Sequence, residues 1–121
     1  MLVVVSPAKR LDEHPPRVAG GTEPRFPGAT AELVETARAL DAGGLETLMR
    51  ISPKLAAVNV ARFARLGSGD GAKQAVELFA GDTYTGLEAR SLDPQEMDYA
   101  QRHLRILSGL YGLLRPRDVI E

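Results

Sequence analysis

The chain contains no cysteine. That excludes disulfides, cysteine-ligated metals and thiol-based peroxide chemistry on this chain, and it fits a reducing compartment. Net charge is almost absent as well: 15 Lys and Arg against 16 Asp and Glu leave −1 at pH 7. The overall basic character of many nucleic-acid binders is therefore missing, and affinity for a polyanion has to come from a local patch. Long apolar runs are lacking too. The opening MLVVVSPAK is too short for a membrane span or a secretion signal, and no basic region precedes it. The expectation is a cytoplasmic protein with no membrane partner. Histidine is scarce: His14 and His103 lie far apart, and no two-histidine, one-carboxylate cluster has a recognisable spacing. No metal site and no cofactor are expected.

What is present is a globular composition, 44% hydrophobic and 26% charged over 121 residues, enough for one ordinary domain. Leu2–Val5 is a continuous apolar run, which predicts a strand buried on both faces and central in its sheet. Asp12 to Gly28 is rich in Pro and Gly and reads as an extended loop. Thr30 can cap a helix to about Ala42, with Leu33, Ala37 and Leu40 on one face, and Leu45–Met49 reads as a short helical turn. Ser52-Pro53 is a strong helix start, with Leu55, Val58, Phe63 and Leu66 as the apolar stripe. Asp70 caps a predicted helix through Phe79, and Tyr84 to Leu87 reads as irregular.

Asp93-Pro94-Gln95-Glu96 is a capping box opening a helix to about Leu107, striped by Met97, Ala100, Leu104 and Leu107. Asp98 and Arg102 are spaced as a surface ion pair on it. Val119-Ile120 looks like the start of another apolar element. The fold class is α+β or mixed α/β and helix-rich. One strand cannot make a sheet, so the chain reads as the N-terminal portion, residues 1–121, of a single longer domain.

Four segments together carry a family resemblance. They are Ser6-Pro7-Ala8-Lys9-Arg10-Leu11-Asp12; Leu48–Ser52 with Lys54-Leu55-Ala56, Asn59 and Arg62; Phe79–Leu87; and Gln101 with His103–Pro116 and Asp118. Their order and spacing resemble the YaaA family of bacterial peroxide-stress proteins. The resemblance implies a cytoplasmic protein that limits intracellular iron and protects DNA during peroxide stress. It also implies a mixed α/β fold with a positively charged cleft, a helix-hairpin-helix element and double-stranded DNA as a partner. Arg10, Thr83 and Arg117 depart from the family's usual residues. Family members are longer, so a C-terminal half of the same protein is an implied partner.

The stretch LRILSGLYGLLRPRD, residues 104–118, is the first candidate site. A glycine turn can present backbone amides to phosphate without reading bases. Ser108, Gly109, Leu110, Tyr111 and Gly112 offer such a turn, and Arg105, Arg115 and Arg117 can add phosphate contacts. The same residues also fit a helix C-cap at Gly109 with Leu110, Leu113 and Leu114 in the core.

The second candidate is the strand-end loop. Ser6 and Lys9 follow a predicted strand, where ligands gather in α/β folds, and can bind an anion. Asn59 and Arg62, three apart on one helix face, and Tyr84 can join that pocket. Lys9 and Asp82 are the candidates for general-base or covalent work, against the alternatives of a solvated lysine and a turn-capping aspartate. Two functions follow, beside a third, an interaction or scaffold domain whose glycines and polar residues are structural. One is a DNA-binding peroxide-stress protein that limits iron-dependent damage. The alternative is an enzyme acting on a small anionic or nucleotide-like substrate at the SPAK loop; no reaction is assignable.

Overall fold

A computed structural model describes residues 1–121 as a mixed α/β protein that divides into two compact units, Met1–Phe26 with Gly71–Glu121, and Pro27–Asp70. No helix is long and apolar enough to cross a membrane.

The Pro27–Asp70 unit holds three helices, α1 (Pro27–Arg38), α2 (Ala42–Met49) and α3 (Pro53–Arg65). Local chemistry sets their ends. Asp41 caps α2 by accepting from the Gly44 amide at 2.8 Å, and Ser52 caps α3 by accepting from Leu55 at 3.2 Å. Arg38 closes α3 from another helix: its guanidinium donates to the carbonyls of Phe63, at 2.8 Å, and Leu66. Val34, Leu45 and Ala56 form the buried centre. The expected α3 stripe is corrected here: Leu55 and Val58 are exposed, and Ala56 on the neighbouring face is the buried residue. α1 starts at Pro27, earlier than the Thr30 cap predicts, because proline is preorganised for a first helical turn.

The other unit carries β1 (Val3–Val5), β2 (Arg10–Leu11), β3 (Lys73–Gln74), α4 (Ala75–Leu78), β4 (Phe79–Ala80), α5 (Asp82–Leu87), a 3-10 turn at Ala89–Ser91, α6 (Pro94–His103), β5 (Leu104–Ser108), β6 (Gly112–Leu114) and β7 (Val119–Ile120). Its sheets have the orders β1-β5-β6, β2-β4 and β3-β7. β1 runs parallel to β5, and β5 turns back antiparallel on β6. The core is Ala75, Leu78, Phe79, Tyr84, Ile106, Leu114 and Ile120. Each large apolar side chain fully buried there contributes about 1.5–3 kcal/mol.

Four sequence expectations change in this unit. The capping box at Asp93 forms as read, with reciprocal bonds of 2.8 and 2.9 Å to Glu96, but α6 ends at His103. Residues 104–114 are a β-hairpin, not part of a helix-hairpin-helix. Burial alternates along β5, with Leu104 and Ile106 inside and Leu107 exposed, the period of a strand. Pairing with β1 decides the outcome over helical spacing. The helix expected from Asp70 to Phe79 is instead two short strands flanking a single helical turn, α4. β1 is the third correction: it pairs only with β5, and Val3 and Val4 are about half exposed, so it is an edge strand rather than a central one. The last is Tyr84 to Leu87, which reads as irregular and is helical in α5.

Candidate functional site at the carboxyl end of the parallel strand pair

The register Val5↔Ile106 aligns β1 with β5, so the chain leaves both strands at the same end of the sheet. Ser6–Lys9 leaves β1 there, and the three-residue turn Gly109–Tyr111 leaves β5. The two stretches that the sequence offers as separate sites therefore share one end of one sheet. Carboxyl ends of parallel strands are where α/β proteins place ligands.

The loop after β1 is fastened from below. The Tyr84 hydroxyl donates to the Ser6 carbonyl at 2.6 Å, and a Cβ on Gly81 would touch Ala8 at 3.9 Å. Tyr84 is buried and packs against Phe79, with ring centroids 5.6 Å apart and the planes tilted by 33°; burial raises the pKa of its phenol. Lys9 and Arg10 are exposed and enter no ion pair. Asp82 is exposed at the first position of α5. Asn59 and Arg62 lie on α3 in the other unit, where Asn59 donates to the Leu55 carbonyl of its own helix at 2.8 Å.

The hairpin turn is organised by Ser108, whose hydroxyl accepts from the Tyr111 amide at 3.1 Å. The Tyr111 hydroxyl donates to the Glu121 carbonyl at 3.2 Å, and burial raises its pKa. Gly112, not Gly109, has the left-handed backbone, with φ +79°, and a Cβ there would come within 2.8 Å of the Phe26 ring. Gly112→Ala is expected to cost about 1–2 kcal/mol, and Gly109→Ala close to nothing. Equal losses for the two in chemical denaturation would overturn this account of the turn.

The arginines expected at phosphate also bond within the chain. Arg105 donates to the carbonyls of Gln101 and Leu104, both at 2.8 Å. Arg115 grips Asp118 and the Glu23 carbonyl, and Arg117 pairs with Asp98 at 2.6 Å. Asp98 thus takes Arg117 where the sequence suggests Arg102.

Two arrangements escape sequence reading. Gln101 donates to Thr22, Thr22 donates to Asp118, and Asp118 accepts from Arg115, a chain tying three distant segments. Arg115-Pro116-Arg117-Asp118 does carry the signal of an acid closing a proline turn. The second is a buried lysine, Lys73, beside Asp12 at 3.7 Å. Nothing in the sequence marks that lysine as buried.

Beside this end of the sheet lies a cleft of about 590 Å³, whose wall includes Asp12, Arg17, Glu77, Phe79, Tyr84 and Arg90. No group of three or more His, Cys, Asp or Glu side chains is placed to hold a metal ion.

These features define a mixed α/β protein with a polar, cation-bearing loop at the end of a parallel strand pair. The chain belongs to the family described as peroxide stress protein YaaA, whose profile matches residues 1–121. A UPF0246 protein of Dinoroseobacter shibae is 55% identical over 124 residues, covering 100% of this chain and 46% of the relative. A UPF0246 protein of Burkholderia mallei is 51% identical over 125 residues, covering 100% of this chain and 48% of the relative. The chain therefore spans just under half the length of these relatives.

Proposed function

We propose that this chain is part of a cytoplasmic peroxide-stress protein that binds double-stranded DNA without reading its bases and limits iron-dependent damage there. Support comes from one observation above all: the SPAK loop and the Ser108–Tyr111 turn leave the sheet at the same end. Lys9 in that loop and Arg10 at the start of β2 are exposed cations, suited to a phosphate backbone. They replace Arg105, Arg115 and Arg117 as the phosphate contacts in this reading. In this reading a further portion of the protein covers the open edge of β1 and completes the binding surface; the greater length of the relatives supports it.

The test is a titration of fluorescent duplex DNA at low and near-physiological salt. Binding is expected to be weak, independent of sequence and steeply salt-dependent. Lys9→Gln with Arg10→Gln lowers the slope of log affinity against log salt by about two, one for each phosphate that is no longer neutralised. An unchanged slope, or no binding by the folded protein at low salt, overturns the reading. A second reading, an enzyme with a small anionic or nucleotide-like substrate at the SPAK loop, is favoured by the Tyr84–Ser6 bond, which fixes that loop in one shape.

A further inference from the structure

Leu2–Val5 contains neither a charge nor a proline, the residue types that commonly guard a sheet edge. One side of β1 pairs with β5, and no strand pairs with the other. The first residue is held from the β5 side as well: His103, which leads into β5, donates from its ring to the Met1 carbonyl at 2.8 Å. The far side of the strand thus presents unpaired backbone groups among branched apolar side chains.

Burial marks where the core stops. The register Val3↔Leu104 and Val5↔Ile106 puts Val3 and Val5 on the core face of the sheet, and Val4 on the opposite face with Leu107. Leu104 is 9% exposed, yet Val3 beside it is 46% exposed. On the opposite face Val4 and Leu107 are exposed by 47% and 52%. The apolar layer below the sheet therefore ends under β5, and the face above is bare at Val4 and Leu107. β6, the other edge of the same sheet, differs: Leu113 is half-buried and Leu114 buried. Exposure on both faces belongs to β1 and is not a property of every edge.

We propose that a further portion of the same protein adds a β-strand to the free edge of β1, making β1 an interior strand, and lays apolar side chains over Val3, Val4 and Leu107. The inference rests on the proposed function only in taking such a portion to exist; duplex binding plays no part in it. What has to be covered selects the occupant. The edge needs a strand, and both faces need side chains, as a continuous apolar run requires. A second copy joined edge to edge meets the first need and not the second, because each copy brings a β1 bare on both faces. The relatives have the material: the match takes up 46% and 48% of their length, so more than half of each lies outside it.

Amide hydrogen exchange tests this, on the chain and on the full-length Dinoroseobacter shibae relative, both without DNA. Backbone groups alternate between the two sides of a strand, so at least one amide of Val3–Val5 points away from β5. That amide is expected to exchange freely in this chain and at least about 100-fold more slowly at the aligned position of the relative. Equally fast exchange in the two proteins overturns the proposal. Val4→Lys is the second measurement. In this chain the residue already meets water, and the unfolding midpoint moves by less than about 2 °C. In the relative a lysine at the aligned position is forced under cover and lowers the midpoint by about 10 °C or prevents folding. Small shifts in both also overturn the proposal. Sedimentation fixes the copy number: protection in a monomeric relative supports the added strand, whereas protection confined to dimers of either protein assigns the edge to a second copy and overturns it. Duplex titration is read separately. A protected β1 in a protein that binds no DNA removes the proposed function and leaves this inference standing.

Discussion

Asp118→Ala is expected to cost about 3 kcal/mol and to lower the unfolding midpoint by about 10 °C. The reason is the number of segments that meet on one buried carboxylate. The Asp118 side chain is wholly buried. It accepts from the Thr22 hydroxyl at 2.6 Å, the Arg115 amide at 2.8 Å and the Arg115 guanidinium at 3.0 and 3.1 Å. Its own amide donates to the Arg115 carbonyl at 3.0 Å, and its carbonyl accepts from Ala75 at 2.8 Å. The turn after β6, the 20–23 loop and the start of α4 are thereby fastened at one point.

Removing the acid leaves the half-buried Arg115 guanidinium and Thr22 hydroxyl, and the Arg115 amide, without that acceptor. A chain of this size holds only about 5–15 kcal/mol in total, so the loss is a large share. Asp98→Ala is the control. Asp98 is bonded at 2.6 Å to Arg117, but half of its side chain is exposed, and its removal costs less than about 1 kcal/mol. Equal denaturant midpoints for the two variants would reject burial as the source of the effect.

The contrast between those two acids marks where sequence reading stops. Helix starts are legible because a cap is local: Ser52-Pro53 and Asp93-Pro94-Gln95-Glu96 contain every atom that their bonds require. β5 is not legible. Leu104, Leu107 and the earlier Met97 and Ala100 satisfy a helical period, and only Val3–Val5, from the other end of the chain, makes the same residues a strand. The continuous valine run has the converse fate. It reads as central, yet in this chain it has a single partner.

The candidate site divides along the same line. Ser6, Lys9 and the Ser108–Tyr111 turn stand out by residue type, but their meeting at one sheet end depends on a parallel register that no local pattern encodes. The arginines of the hairpin stand out as well. Their targets, the carbonyls of Gln101, Leu104 and Glu23 and the acids Asp98 and Asp118, are visible only once the chain has folded.

The Lys73–Asp12 pair is expected to respond unequally to loss of its two members. Lys73 is buried, with 3% of its side chain exposed, whereas Asp12 keeps 28%. The lysine ammonium donates to the His14 carbonyl at 2.9 Å and lies 3.7 Å from Asp12. Asp12→Ala strands that ammonium beside a neutral acceptor alone and also releases the His14 amide, which Asp12 accepts at 3.0 Å. The expected cost is about 2–3 kcal/mol. Lys73→Met removes the buried charge and keeps an unbranched, flexible chain in its place, while the remaining carboxylate has access to water. Its expected cost is below about 1 kcal/mol.

Acid titration reads the same pair from another side. The His14 amide and then the His14 ring hold the Asp12 carboxyl down, with Lys73 adding to the effect, so its pKa falls from 3.8 to about 2. A carboxylate depressed in the folded state stabilises it above its unfolded pKa, and that contribution disappears as pH falls through the folded value. Stability of the parent chain should therefore drop between about pH 4 and pH 2 by an increment missing from Asp12→Asn. Parallel acid profiles for the two proteins would reject the depressed Asp12 carboxyl, and equal losses from Asp12→Ala and Lys73→Met would show that the acid is not the counterion that allows a lysine to be buried there.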